Sequence, residues 1–242
     1  YRPTTFKNII LSKSLRKDIQ NIIKNKSFNN LIFYGTAGNG KTTTARVICE
    51  ELNCDLYEVN ASIKGIDALR KEITNFATTV SLEGKSKVVL LDEADYISPN
   101  GQAALRGVME EYHTTARFVL TCNYPNRVIP ALHSRCQGFH IERLDKTEFT
   151  VRVGQILADE KIDFNVETID TYVKATYPDL RKCINMVQMN SQTGKLVTPD
   201  TADSGTQDYK LEMVQLFKAG KISDARRMLC TQARPEEMED IY

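Results

Sequence analysis

The stretch Gly35-Thr36-Ala37-Gly38-Asn39-Gly40-Lys41-Thr42 constrains this chain of 242 residues more than any other part of it. It satisfies the spacing G-x-x-x-x-G-K-(S/T), and it sits where the physics needs it, between the apolar run Leu31-Ile32-Phe33-Tyr34 and a helical pattern that starts near Lys41. The glycines let backbone N–H groups turn inward around phosphate oxygens. The helix N-terminus adds its partial positive charge, and Lys41 supplies a full one. Thr42 is placed to hold Mg2+, and Thr43 extends the phosphate-contacting segment. A glycine-rich turn matching by chance is a poor account, because strand, motif and helix agree.

The surrounding pattern repeats that alternation. Leu56-Tyr57-Glu58-Val59, Val88-Val89-Leu90-Leu91, Phe118-Val119-Leu120 and Phe139-His140-Ile141 read as further strands, separated by segments of helical length. Ala45, Ile48, Cys49 and Leu52 fall at i, i+3, i+4 and i+7, the stripe a helix lays on a sheet, and Leu105, Val108, Met109 and Tyr112 repeat it. Strands alternating with helices predict an α/β domain with a parallel five-stranded sheet covered on both faces, spanning residues 1–143.

From Asp145 the strand signals stop. Asp145, with Glu148 three residues on, reads as a helix cap, and two more helices fit Val166–Ala175 and the stretch from Pro178-Asp179 through Val187. This predicts a small helical lid over 144–195. Thr193–Gln207, rich in Gly, Pro, Ser and Asp, reads as a linker, and the helical patterns at Tyr209, Met213, Leu216 and Phe217 and after Ser223 read as the start of a third, truncated unit over 196–242. The chain opens without Met, inside what reads as a working motif, and ends mid-pattern at Tyr242, as a fragment would.

Composition narrows the class. Lys and Arg total 32 against 31 Asp and Glu, so a generally basic nucleic-acid coat is no argument here. No run approaches the roughly 18 apolar residues of a spanning helix, and Tyr1-Arg2-Pro3 shows no signal-peptide pattern. The six cysteines (Cys49, Cys54, Cys122, Cys136, Cys183 and Cys230) show no C-x-x-C spacing, and with three histidines a zinc site is improbable. Reduced, packed thiols point to a cytoplasmic protein without a membrane partner.

Val88–Leu91 delivers Asp92-Glu93 at its carboxyl end, where open α/β sheets bind ligands. Alone, the pair would read as a solvated strand end. With the phosphate loop upstream, Asp92 is expected in the magnesium shell, and Glu93 is expected to orient a water for attack on a γ-phosphate.

With these residues placed, the sequence resembles the AAA+ ATPases, and within them the clamp-loader subunits related to replication factor C small subunits, over almost the whole chain. Ser134-Arg135-Cys136 resembles the motif that presents an arginine finger to the ATP of a neighbouring subunit, which implies that Arg135 acts in trans. Thr121-Cys122-Asn123 resembles sensor 1, with Asn123 toward the γ-phosphate, and Pro178-Asp179-Leu180-Arg181 resembles sensor 2, with Arg181 reaching the nucleotide. Tyr1-Arg2-Pro3 resembles a segment near the adenine. Asn60 occupies the place of a polar residue that holds the catalytic glutamate inactive until DNA binds; it could equally cap a helix. Ser62, Lys64 and Ser98 match positions that follow a DNA backbone. Ile73-Thr74-Asn75-Phe76-Ala77 and Leu82-Glu83-Gly84-Lys85-Ser86-Lys87 look most like the ATPase subunit of T4-type bacteriophages, which would place the protein in an infected host's cytoplasm.

The resemblance implies an ATP- and Mg2+-dependent subunit that joins like subunits and a second subunit type in a hetero-pentamer, and that opens a sliding clamp and places it on primer-template DNA. Two alternatives stand beside it: another AAA+ DNA-dependent ATPase, such as a branch-migration motor or an initiator, and a structural subunit that binds ATP without hydrolysing it. The intact Glu93 speaks against the latter.

Overall fold

A computed structural model of the chain describes residues 1–63, 65–81, 84–198, 216, 221–224 and 226. Two compact units result, one of residues 1–149 with 178–180, the other of residues 150–177 with the chain from 181 onward.

In the first unit β1 (Leu31–Tyr34), β2 (Asp55–Asn60), β3 (Lys87–Asp92), β4 (Ala116–Cys122) and β5 (Gln137–His140) form a five-stranded sheet in the order β2-β3-β4-β1-β5, with every pairing parallel. The connections carry α2 (Lys41–Glu51), α3 (Ile66–Thr78), α4 (Pro99–Glu111) and the one-turn α5 (Pro130–His133); α1 (Lys13–Asn25) precedes β1. Neighbouring residues of one strand point to opposite faces. Ile32, Val89, Leu91, Phe118 and Leu120 join Leu69, Ile73, Leu105 and Val108 on one side. Leu31, Phe33, Val88, Leu90 and Val119 join Leu15, Ile19, Ala45 and Ile48 on the other. Both faces are therefore dry, which explains why these strands read as unbroken apolar runs. Each fully buried aliphatic or Phe side chain stabilises the fold by about 1.5–3 kcal/mol.

Chain order sets where a ligand can sit. β1 leads leftward through α2 to β2, while β4 is followed by a crossing to β5 on the far side of β1, so the connections diverge beside β1. The crevice outside the carboxyl ends of β1 and β3 is thus the expected binding place. One buried cation is structural. Lys87 is 7% exposed, and its Nζ donates to the Phe76 carbonyl (2.6 Å), the Thr79 hydroxyl (2.8 Å) and the Thr79 carbonyl. It satisfies carbonyls that the end of α3 leaves open and complements the negative end of the helix dipole.

The second unit is helical. α6 (Lys146–Asp159) starts where the sequence predicts, with Asp145 Oδ1 accepting from the Thr147 and Glu148 amides (2.8 and 3.2 Å). α7 (Val166–Thr176) and α8 (Leu180–Met189) follow, and Val153, Leu157, Ile169, Tyr172, Val173, Cys183 and Val187 are buried. The first residues read as linker are packed instead. Leu196 is buried, its amide donates to the Asp163 carbonyl (2.8 Å), and Tyr172 Oη donates to the Val197 carbonyl (2.7 Å). Leu196 supplies an apolar anchor that the Gly- and Thr-rich composition of its surroundings conceals. In the expected third unit, residues 216, 222–224 and 226 are helical, and Tyr209, Met213 and Phe217 lie outside the described residues. Among the described residues no helix is long and apolar enough to cross a membrane, and no group of three or more His, Cys, Asp and Glu could hold a metal.

Candidate active site

The loop leaving β1 is shaped by close backbone approach. Gly35 (φ 150°) lies so near the chain beyond β5 that a Cβ there would stand 2.4 Å from the Ile141 carbonyl oxygen, while the Ile141 amide donates to the Tyr34 carbonyl at 2.8 Å. Gly38 (φ 80°) also needs its positive φ, and a Cβ there would meet the Asp179 carboxylate of the same unit, a side chain that can give way more readily than backbone. The loop runs into α2, whose N-cap Gly40 provides no side-chain bond, leaving first-turn amides for an anion. Lys41 is 8% exposed, and its Nζ donates to the Gly35 and Thr36 carbonyls (2.9 and 2.8 Å). Asn39 is also buried. Its Nδ2 donates to Thr36 Oγ1 (2.7 Å) and the Glu142 carbonyl (3.4 Å), while its Oδ1 has no partner among the described residues.

The carboxyl end of β3 closes the other side. Asp92 Oδ1 accepts from Thr42 Oγ1 at 2.7 Å and also from the Thr121 hydroxyl at the end of β4. Glu93 adopts a left-handed backbone (φ 59°, ψ 45°), a conformation that costs a non-glycine residue on the order of 1–3 kcal/mol and concentrates at functional sites. Its amide donates to Thr121 Oγ1 (3.1 Å), and its Oε2 accepts from Asn60 Nδ2 (3.1 Å). Asn60 is itself oriented, because its Oδ1 accepts from the amide and hydroxyl of Ser62 (2.8 and 2.6 Å). Asn60 does not cap the following helix, whose N-cap is Gly65; one end of its amide makes a local turn with Ser62, and the other bonds Glu93. Behind this edge Arg46 of α2 grips Glu58 of β2 through two bonds (2.7 and 2.5 Å), and its pKa is raised mainly by that carboxylate, with Asp92 contributing.

A phosphate cradle, an uncapped helix start, a lysine that donates to loop carbonyls and a Thr–Asp pair fit a nucleotide with a divalent cation held by hard oxygen ligands. Comparison with known proteins agrees. Residues 31–143 match the family model for the "ATPase family associated with various cellular activities (AAA)". A replication factor C small subunit from Sulfolobus acidocaldarius is 36% identical over 246 residues, covering 95% of this chain and 74% of the relative. One from Staphylothermus marinus is 34% identical, covering 95% and 73%. The chain belongs to the replication factor C small-subunit family. It is an ATPase, and its site binds nucleotide with a divalent metal. A solved Thermotoga maritima RuvB, titled a Holliday junction branch migration motor, superposes with a TM-score of 0.71 at 14% identity, covering 89% of this chain and 78% of that one; at that identity it shows the shared fold alone.

Within this family member the remaining expected residues fall in distinct places. Asn123 is half-buried at the end of β4, and its amide donates to Asp95 Oδ2 (3.1 Å). Arg135 lies at the opposite end of the sheet from the phosphate loop. It precedes Gln137, which pairs with Leu31 at the start of β1, whereas the loop leaves β1 after Tyr34. Three residue steps at about 3.3 Å each put about 10 Å of strand between those levels. Its guanidinium donates to Glu110 Oε1 and, at 2.8 Å, to the Ala131 carbonyl. Tyr1 and Arg2 are exposed and Pro3 is half-buried; Arg181 is exposed near the start of α8 in the second unit. Ser62 is exposed and held by Asn60, and Ser98 Oγ caps α4 by accepting from the Gly101 amide (3.2 Å). Lys64 lies outside the described residues.

Three polar residues were given no role of their own by the sequence. Thr121 bridges Asp92 and the Glu93 amide. Gln102, fully buried, donates to the Ile97 and Arg127 carbonyls (both 2.9 Å) and accepts from the Ile129 amide (2.8 Å). Asp95 is 5% exposed. The one available signal was a third carboxylate, three residues beyond Asp92, in the turn that follows β3. Nothing in composition marks Gln102, because its partners are backbone groups brought in by the tertiary fold.

Proposed function

We propose that the chain is an ATP-hydrolysing subunit of a sliding-clamp loader in DNA replication. It works in a hetero-pentamer of like subunits and a second subunit type, and it places the clamp on primer-template DNA. The observation that carries this reading is the division of the site: phosphate loop, Asp92 and Glu93 lie at one end of the sheet and Arg135 at the other, so that one subunit's finger serves a neighbour's nucleotide. Family membership adds the replication context. The segments at Ile73–Ala77 and residues 82–87 support a T4-type bacteriophage source, and with it the host cytoplasm.

In this reading Lys41 exchanges its loop carbonyls for phosphate oxygens, and Asn39 lines the cradle. Thr42 and Asp92 would hold Mg2+, which would neutralise phosphate charge. Glu93, freed from Asn60, orients a water for attack on the γ-phosphate, and Asn123 faces that phosphate. Arg135 of the adjacent subunit meets the charge that develops in transfer. Arg181 reaches the nucleotide from the lid, and Tyr1, Arg2 and Pro3 lie by the base. Ser62, Lys64 and Ser98 follow the DNA backbone, a contact type that positions a duplex without reading sequence. Coupling to DNA runs through Asn60, whose hold on Glu93 is broken when the duplex engages the adjacent loop.

The test is ATP turnover by the assembled loader with clamp and primed DNA. Glu93→Gln should bind ATP and lose DNA-stimulated turnover. Arg135→Ala should fail only at interfaces to which it contributes the finger. Mixing it with a Lys41→Met subunit should retain turnover only where an intact Arg135 faces an intact Lys41. Unchanged stimulated hydrolysis in Glu93→Gln, or loss of activity in an isolated Arg135→Ala subunit, would overturn the reading.

A further inference from the structure

We propose that Asp95 is a positioning residue for hydrolysis: its buried carboxylate ties the strand end carrying Asn123 to the strand end carrying Asp92 and Glu93, so that the three groups keep one geometry. The inference rests on the reading of Asn123 as a phosphate-facing group and adds what holds it there.

Asp95 lies in the short 3-10 turn Ala94–Tyr96 that follows Glu93. Its Oδ2 accepts from two successive amides, those of Asn123 and Tyr124, at 3.1 and 3.0 Å. Both lie beyond Cys122, the last residue of β4, where the sheet no longer offers acceptors. An amide that leaves a sheet loses its ladder acceptor, and the buried Asp95 carboxylate is a strong replacement. One oxygen therefore fixes the direction in which the backbone departs from β4, and with it the root of the Asn123 side chain. A second tie runs parallel, from the Glu93 amide to Thr121 Oγ1 and from Thr121 Oγ1 to Asp92. The two strand ends are thus pinned on both sides of the reacting position.

The other oxygen shows that packing alone does not explain this residue. Asp95 Oδ1 is buried and has no partner among the described residues, a state that costs stability and that an apolar side chain of similar shape would avoid. The carboxylate is retained for what Oδ2 holds. A direct chemical role is a poorer account, because Oδ2 is turned to two backbone amides and Asp95 belongs to no group of three metal-ligating side chains among the described residues.

The test compares Asp95→Asn, Asp95→Ala, Asp95→Glu and Asn123→Ala in the assembled loader with clamp and primed DNA, measuring ATP affinity, kcat, KM and thermal unfolding. Asp95→Asn keeps an oxygen that can accept both amides and should turn over within about twofold of the parent. Asp95→Ala removes the acceptor and should lower kcat roughly 10- to 100-fold, the scale of an ångström-level misplacement, with ATP affinity unchanged. If Asp95→Ala does not fold, Asp95→Glu keeps the charge but displaces the oxygen by one methylene, and should show the same split between kcat and ATP affinity. The proposal is overturned if Asp95→Ala or Asp95→Glu folds and hydrolyses at the parent rate, if Asp95→Asn is as slow as Asp95→Ala, or if ATP affinity falls as far as kcat. Asn123→Ala separates the two layers: parent-like hydrolysis there removes the underlying role of Asn123, whereas slow hydrolysis there with a parent-like Asp95→Ala removes only the tether.

Discussion

Asn60 is the residue whose removal should raise activity. Its amide nitrogen holds Glu93 at 3.1 Å, while its oxygen is held by Ser62. A hydrogen bond to an ionised carboxylate contributes about 1.5–3 kcal/mol when sheltered. Both partners here are half-exposed, so about 1 kcal/mol is the appropriate scale once water competes. If this bond is what keeps Glu93 from the attacking water, Asn60→Ala should raise ATP turnover without DNA about fivefold, since 1.4 kcal/mol corresponds to a factor of ten. The rate with saturating primed DNA should not change, because DNA has already released Glu93 there, so the stimulation ratio should fall by the same factor. Asn60→Asp refines the test: it keeps the acceptor for Ser62 but sets a second carboxylate beside Glu93, and should raise the basal rate at least as far. Steady-state ATPase assays with and without DNA, with thermal unfolding as the folding control, decide the matter. A basal rate at or below the parent's in a stable Asn60→Ala protein would refute the argument.

Three further outcomes follow from the geometry. Lys87→Met keeps the aliphatic packing but strands the Phe76 and Thr79 carbonyls, and should cost about 2–4 kcal/mol in urea unfolding, given a charged donor shared among several acceptors; a loss under about 0.5 kcal/mol would contradict the capping role. Gly35→Ala combines positive φ with a Cβ 2.4 Å from the Ile141 carbonyl oxygen, so it should abolish ATP binding and lower stability by about 1–3 kcal/mol, read by nucleotide titration and thermal unfolding. Burial pushes the Cys49, Cys122 and Cys136 thiols up to about 12 and raises Cys54, so all four should react slowly with a disulfide reagent at pH 8 in the folded protein. The sign for stability is fixed by the same shift: the unfolded thiols ionise near 8.5, so their contribution is complete below that pH and is lost as pH rises toward 12, which urea midpoints between pH 8 and 11 would reveal.

The phosphate loop, the strand that ends in Asp92-Glu93 and the helical stripes are local signals, and local signals survive in sequence. A loop that wraps an anion needs glycine at particular steps, and a strand covered on both faces must be apolar throughout, so Gly35–Thr42 and Val88–Leu91 announced a parallel α/β core with its ligand crevice. The sequence also placed the Asp145 cap, because its bonds span only three residues. What it did not show were contacts made across the chain. Strand order cannot be read from spacing, and it is strand order that puts β4 beside β3 and so brings Asp95 to the amides of Asn123 and Tyr124, 28 and 29 residues away. The same holds for Gln102, for Asn60 reaching Glu93 from the end of the neighbouring strand β2, and for Arg135 standing at the far end of β1 from Lys41. Residue types and their periods determined which chemistry the chain can hold. Only the packed sheet decided which carboxylate Asn60 holds, which one accepts from two backbone amides and which end of the sheet carries Arg135, because those contacts and placements close only when remote strands pair.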